Sequence, residues 1–199
     1  MTRRKVNLFA AMVIALSLTL SGAALAGEAT DLVKAKQTAL FDLMRKNDAA
    51  SNSKIAATFD EMLDYQSLAE ESLGSEWASR TDAEKAEFSD LLKQLVRKAY
   101  ERNLRKTLDF NIEYVEEKAK GEAMVVMTRA VSKTDKRAEP VEIAYRLAKR
   151  DGVWRVQDIV TDSVSLVSSY RSQFTKIVKK DGFPALIKKM KDKLAKGDV

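Results

Sequence analysis

The spacing of apolar residues changes twice along this chain, and that change limits the fold more than any other feature. From residue 28 to about residue 106, apolar positions recur at intervals of three and four, as in amphipathic helices. Between residues 110 and 160 the period becomes two, as in strands, and beyond residue 162 the helical spacing returns. This order predicts an α+β domain: a four-stranded antiparallel sheet packed by several helices from both the N- and C-terminal parts.

The N-terminal helical region divides into segments. The first helix should span residues 28–46 and end at the polar stretch 47–54, which we expect to be an exposed linker. Residues 55–73 then predict one or two further helices. Gly74 should close them, because glycine accepts the left-handed conformation in which many helices end.

A capping box marks the start of the next helix. Thr81 and Glu84 have the spacing at which a hydroxyl and a carboxylate bind the free backbone amides of a helix start. The helix that they open should extend to about Lys106. Its buried face should carry Phe88, Leu91, Leu92, Leu95, Ala99, Tyr100 and Leu104.

Four strands follow, and the turn residues between them indicate a meander. The segments with strand patterns are residues 110–114, 123–131, 141–147 and 153–160. Lys120-Gly121 and Asp151-Gly152 favour tight hairpin turns, and the polar stretch 132–140 favours a looser one. Two helices should complete the chain, separated by Gly182-Phe183-Pro184.

The composition excludes many kinds of chemistry. Among its 199 residues the chain has no Cys and no His, so it has no disulfide, no thiolate nucleophile and no Ser-His-Asp triad. We also find no spacing typical of metal ligands or of a phosphate-binding loop, and we predict neither a metal nor a cofactor. With 45% apolar and 32% charged residues, the chain has the composition of a globular domain.

The N-terminus has the pattern of a secretory signal peptide. Arg3, Arg4 and Lys5 precede an apolar run over residues 8–20, and the small-residue motif Ala24-Leu25-Ala26 follows. We predict that residues 1–26 are a signal peptide cleaved after Ala26 and that residues 27–199 form a single domain. Removal of the three positive charges would lower the net charge from +6 to +3, so nucleic acid is not an expected partner.

The C-terminal half carries a family resemblance. The residues concerned are Tyr145-Arg146-Leu147, then 151–158 (DGVWRVQD), 164–167 (VSLV) and 170–174 (YRSQF), preceded by Leu73-Gly74-x-x-Trp77 and by Phe88, Leu92 and Tyr100 on one helix. Over roughly residues 30–195 the chain resembles the MlaC family, toluene-tolerance proteins that serve as auxiliary components of an ABC lipid transporter. Ser163 stands where the family usually has Gly, a residue that tolerates positive φ.

The resemblance implies a phospholipid carrier of the periplasm. Such proteins enclose the acyl chains of a glycerophospholipid between sheet and helices and keep the headgroup near solvent. They shuttle between an outer-membrane lipoprotein complex and an inner-membrane ABC transporter with its substrate-binding subunit, and so maintain outer-membrane lipid asymmetry. Contact with the membranes would be transient, the phospholipid would be cargo, and no catalytic residue is implied.

A carrier of this kind needs a deep apolar pocket. Two tails of roughly fifteen methylenes each lose on the order of 24 kcal/mol when exposed to water, which a shallow groove could not offset. On the resemblance, the tail pocket comprises Leu73, Phe88, Leu92, Tyr100, Val125, Met127, Ile143, Tyr145, Val164, Leu166, Val167, Tyr170 and Phe174. Arg146 and Arg171 would lie near the headgroup, where a guanidinium can bind a phosphate.

The sequence leaves two alternative functions open. One is a cone-shaped α+β enzyme of the ketosteroid-isomerase type acting on a small hydrophobic substrate, with Asp158, Tyr145 and Tyr114 as candidate acid–base groups. The other is an exported adaptor with a solid core. Asp158 stands late in its strand, where it would also suit a cap for the following turn.

Overall fold

The structure is a computed structural model that describes residues 27–46 and 48–197. The predicted signal peptide, residues 1–26, lies outside the described residues. Within the described ranges, no helix is both long enough and apolar enough to cross a membrane.

Three helices form the N-terminal part. They are α1 (Glu28–Lys46), α2 (Ala49–Met62) and α3 (Tyr65–Leu73). The second begins earlier than predicted, because Asp48 caps it by accepting a hydrogen bond from the backbone N of Ser51 at 2.7 Å. The polar stretch predicted as a linker therefore contains the first turns of α2. Gly74 ends α3 with φ of 61°, as predicted.

The capping box predicted at the start of the next helix is confirmed. A short 3₁₀ helix (Gly74–Ser79) leads to α4 (Asp82–Lys106), whose end also matches the prediction. The backbone N of Glu84 donates to Thr81 Oγ1 at 3.2 Å, and the backbone N of Thr81 donates to Glu84 Oε2 at 2.9 Å. Both donors would otherwise lack partners at the helix start.

The sheet has five strands rather than the four predicted. They are β1 (Phe110–Lys120), β2 (Ala123–Ser132), β3 (Val141–Arg150), β4 (Val153–Thr161) and β5 (Val164–Ser165), in that order and all antiparallel. The last strand was missed because two residues are too short to show a period. The first runs beyond the predicted segment 110–114, because a bulge at Val115 breaks the alternation.

A tight turn with both central residues at positive φ joins β4 to β5. Asp162 has φ of 47° and Ser163 has φ of 67°, the combination that a type I′ hairpin requires. The position where the family usually has Gly thus adopts a conformation that Gly favours. Asp151 and Gly152 form the corresponding predicted turn between β3 and β4, with φ of 51° and 78°.

Two helices complete the fold, α5 (Leu166–Asp181) and α6 (Phe183–Lys196). Gly182 separates them with φ of 83°, and Pro184 lies in the first turn of α6, where its missing N–H costs no hydrogen bond. The main hydrophobic core lies between the helices and one face of the sheet. Val126, Tyr145 and Val156 mark that face, and all three are buried.

Candidate functional site

A cavity of about 380 Å³ lies between the sheet, α4 and the start of α5. Its size is within the range of ligand pockets, 300–1,000 Å³. The lining residues are Gln37, Val96, Ala99, Tyr100, Asn103, Leu104, Thr107, Val141, Ile143, Tyr145, Ile159, Thr161, Val164, Leu166 and Ser169. These described lining residues include no charged side chain, so the cavity suits an apolar ligand.

The cavity has a closed end and an open end. At the closed end, Gln37 is 2% exposed and Tyr145 is 1% exposed. At the open end, Val164 of β5 is 62% exposed and Thr161 is also exposed. A ligand that entered past β5 would therefore extend from solvent into the core.

A bulge between β3 and β4 shapes one wall. Tyr145 pairs with Ile159, but Leu147 pairs with Val156, so β4 has one extra residue between these pairs. Because side chains alternate along a strand, the extra residue turns Ile159 and Thr161 to the face that carries Val156. The opposite wall, on α4, leaves space at Ala99, whose side chain is a single methyl group.

The closed end carries buried polar groups. The Tyr100 hydroxyl donates to the Tyr145 hydroxyl, with 3.2 Å between the oxygens, and thus joins α4 to β3. The Tyr114 hydroxyl donates to Gln37 Oε1 at 2.7 Å and joins β1 to α1. Burial raises the pKa of all three phenols, and neighbouring phenols raise those of Tyr100 and Tyr114 further. The three phenols are therefore protonated at neutral pH.

Five of the thirteen predicted pocket residues line this cavity: Tyr100, Ile143, Tyr145, Val164 and Leu166. Six others are buried in the adjoining core: Leu73, Phe88, Leu92, Val167, Tyr170 and Phe174.

Aromatic contacts hold this core together. The rings of Phe88 and Phe174 meet edge to face with centroids 5.5 Å apart, and Tyr170 stacks on Phe174 at 5.2 Å.

The remaining two predicted pocket residues, Val125 and Met127, lie on the other face of the sheet. Their cross-strand partners are Arg146 and Ala144, whereas Val126 pairs with Tyr145. Since consecutive side chains of a strand point to opposite faces, neither residue shares the face of the cavity. The prediction that they line the tail pocket is therefore wrong, because an apolar run does not reveal which face of a sheet is enclosed.

The two arginines predicted near a headgroup meet at Glu71 on α3. Arg146 Nη2 donates to both carboxylate oxygens of Glu71 at 2.7 Å, and its Nη1 donates to Gln157 at 3.1 Å. Arg171 Nε donates to the backbone O of Glu71 at 2.6 Å. Neither arginine is among the described residues that line the cavity. Their role beside a headgroup stays a prediction.

Asp158, a candidate acid–base group of the enzyme alternative, has a structural role. Asp158 is 8% exposed, and its Oδ1 accepts hydrogen bonds from the backbone N of Ile159 and of Val167 at 2.9 and 3.1 Å. Its Oδ2 accepts from Ser165 Oγ at 2.6 Å. These contacts hold the start of α5 against β4. Among the described residues, Asp158 is not part of the cavity lining that contains Tyr145.

No group of three or more Asp or Glu side chains in residues 27–46 and 48–197 could hold a metal ion. The polar atoms of the lining are hydroxyls and amides, which bind neutral oxygen groups through hydrogen bonds.

Several lining residues were not predicted, and Gln37 is the most informative. It occupies the buried stripe of α1 together with Val33, Leu40 and Met44. A polar residue on an apolar helix stripe is a detectable signal, because a buried amide needs hydrogen-bond partners. Ile159 and Thr161 gave no comparable signal, since they reach the cavity only through the bulge in β4.

Comparisons with known proteins agree with this fold. A search of curated proteins gives no match. The structure of a phospholipid-binding protein from Ralstonia solanacearum, solved in complex with a phospholipid, is 21% identical and superposes with a TM-score of 0.72 over 86% of this chain and 99% of that chain. The family model described as MlaC protein matches residues 28–192, well over half of the sequence. The chain therefore belongs to the MlaC family.

Proposed function

We propose that this protein is a periplasmic carrier that shuttles glycerophospholipid between the outer and inner membranes and so maintains outer-membrane lipid asymmetry. The observation that carries the proposal is the uncharged cavity of about 380 Å³, which is open beside β5 and closed at Tyr145. A site of this kind can keep an acyl chain out of water without any reaction, and the proposed role is therefore not enzymatic.

The size of the cavity sets how much of a lipid it encloses. An apolar protein cavity of about 150 Å³ holds one benzene ring, which has six carbons. In proportion, 380 Å³ corresponds to on the order of fifteen carbons, or one acyl chain. Withdrawing such a chain from water is worth about 12 kcal/mol. A second chain would require α4 and the sheet to separate further.

The cavity also suggests how the lipid is oriented. The tail would contact Tyr100, Ile143, Tyr145 and Leu166, and the headgroup would stay in water beyond Val164. The phospholipid held by the Ralstonia protein of similar fold supports this cargo. In the proposed cycle, the carrier takes lipid from or gives it to an outer-membrane lipoprotein complex and the substrate-binding subunit of an inner-membrane ABC transporter. The predicted signal peptide supports a periplasmic location.

Lipid extraction tests the proposal directly. The full chain is expressed with its N-terminal segment in a Gram-negative host, purified from the periplasm and extracted with organic solvent. Mass spectrometry should find phospholipid in a stoichiometric amount, and a protein that remains lipid-free would contradict the proposal.

A matched pair of variants shows whether the lipid occupies this cavity. Ala99→Phe places a ring in the space beside Tyr100, so we expect the lipid content to fall severalfold while the fold is kept. Ala57→Phe makes the same change at an exposed position of α2 and should leave the lipid content unchanged. Equal lipid contents in both variants would place the lipid elsewhere.

A further inference from the structure

The closed end of the cavity contains amide donors without a described acceptor. Gln37 is only 2% exposed, and its Oε1 accepts the hydrogen bond from the Tyr114 hydroxyl. In the described part of the chain, no side chain or backbone group accepts from its Nε2, although the residue lines the cavity. Nε2 is not among the fully buried side-chain atoms of the described residues that lack a partner, so it faces the space of the cavity, where a ligand acceptor can reach it.

The Tyr145 hydroxyl is in the same situation. Its oxygen accepts from Tyr100, and its own proton has no acceptor among the residues that the structure describes. The residue is 1% exposed and also lines the closed end. Two neutral side chains from α1 and β3 therefore offer hydrogen-bond donors to the interior of an uncharged cavity.

We infer that this closed end is a subsite for a neutral oxygen group, a hydroxyl or a keto group, carried on the enclosed part of the cargo's hydrocarbon chain. The inference rests on the proposed function and specifies the kind of lipid that the cavity prefers. The donors are uncharged, and the described lining has no cation to pair with a carboxylate or phosphate. The closed end also lies farther from solvent than Val164, at the opposite side of the cavity from a solvated headgroup.

A bound water molecule has the same acceptor chemistry, and the two sources predict different binding preferences. A chain oxygen at the right position adds a hydrogen bond that an unsubstituted chain lacks. A resident water would satisfy the donors whatever chain is bound.

A competition experiment separates the two. The purified protein is exchanged against an equimolar mixture of stearic acid and hydroxystearic acids with the hydroxyl at successive positions, and the bound acids are extracted and quantified by mass spectrometry. We expect one positional isomer to be enriched about three- to tenfold over stearic acid, as one added buried hydrogen bond implies.

Variants connect the preference to the subsite. Gln37→Met keeps the length of the side chain and removes the amide, and Tyr145→Phe removes the hydroxyl alone, so both should lose most of the enrichment. Two independent variants keep the test valid if one does not fold. Tyr65→Phe removes a buried hydroxyl outside the cavity lining and should keep the enrichment.

The outcomes are distinct. Absence of enrichment for every isomer, with stearic acid bound, would overturn the inference and favour water at the donors. Enrichment that persists in both Gln37→Met and Tyr145→Phe would also overturn it. Failure to bind any of the acids, stearic acid included, would overturn the inference, whereas the proposed function is tested separately by the phospholipid content of the purified protein.

Discussion

Asp158 Oδ1 accepts a hydrogen bond from the backbone N of Val167 at 3.1 Å, and this contact connects the end of β4 to the first turn of α5. The same carboxylate accepts from Ser165 Oγ at 2.6 Å. Because α5 contributes Leu166 and Ser169 to the cavity lining, Asp158 positions one wall of the cavity from outside it.

Asp158→Asn should therefore lower the stability of the fold without lowering the lipid content of the protein. The amide keeps one acceptor but loses the charge that strengthens these hydrogen bonds, so we expect the free energy of unfolding to fall by about 1–3 kcal/mol. Urea unfolding measures the loss, and lipid extraction should give the content of the unchanged protein. Asp192→Asn, at an exposed position of α6, is the control and should have little effect. A folded Asp158→Asn protein without lipid would contradict the assignment.

Glutamate substitutions inside the cavity and on the far face of the sheet should have different effects on lipid binding. In Leu166→Glu the carboxylate would stand against the bound chain, and an unpaired charge there costs several kcal/mol, so we expect most of the lipid to be lost. Val125→Glu makes a comparable change on the opposite face of β2 and should retain the lipid. Mass spectrometry of solvent extracts measures both. Lipid loss in Val125→Glu but not in Leu166→Glu would reverse the assignment of the faces.

Alkaline pH should destabilise the fold through its buried phenols. Burial raises the pKa of Tyr65 to about 12, although Arg97 acts to lower it. An unfolded tyrosine ionises near pH 10, so above that pH the unfolded state releases a proton that the folded state retains. The stabilisation is fully present below pH 10 and is lost as the pH rises towards 12, by up to about 2–3 kcal/mol for this phenol.

Urea unfolding at pH 8 and pH 11 checks this prediction. Tyr65→Phe lacks the ionisable group, so its loss of stability between the two pH values should be smaller than that of the unchanged protein. Identical losses in the two proteins would show that Tyr65 ionises normally in the folded state.

Ser163→Gly should stabilise the protein. At φ of 67°, a side chain costs about 1–2 kcal/mol, whereas the added freedom of glycine in the unfolded state costs about 0.4–1 kcal/mol. We expect a net gain of about 0.5–1 kcal/mol, measured by urea unfolding. Ser168→Gly, at an exposed helical position of α5, is the matched control and should lower the stability by a similar amount. A destabilised Ser163→Gly protein would contradict the strain argument.

Local patterns predicted most of the elements and some of their ends. The start of α4 follows from Thr81 and Glu84, and its end follows from the end of its apolar stripe. Each of these signals lies within a few residues of the helix end that it predicts. Where the extent of a strand depended on its pairing with a neighbouring strand, prediction failed. The strand β5 forms only because Val164 pairs with Thr161, and β1 continues past Val115 because β2 pairs with residues beyond the bulge.

The sequence by itself determined the α+β order of elements and the tight turn at Asp151-Gly152, because both depend on neighbours along the chain. The tertiary structure decided which apolar residues enclose space. Val125 belongs to a strand that is apolar on both faces, and only its pairing register with β3 shows that its side chain points away from the face that carries Tyr145 and the cavity. The contact between Gln37 and Tyr114, far apart in sequence, likewise required α1 to pack on the sheet, and no local pattern encodes that meeting.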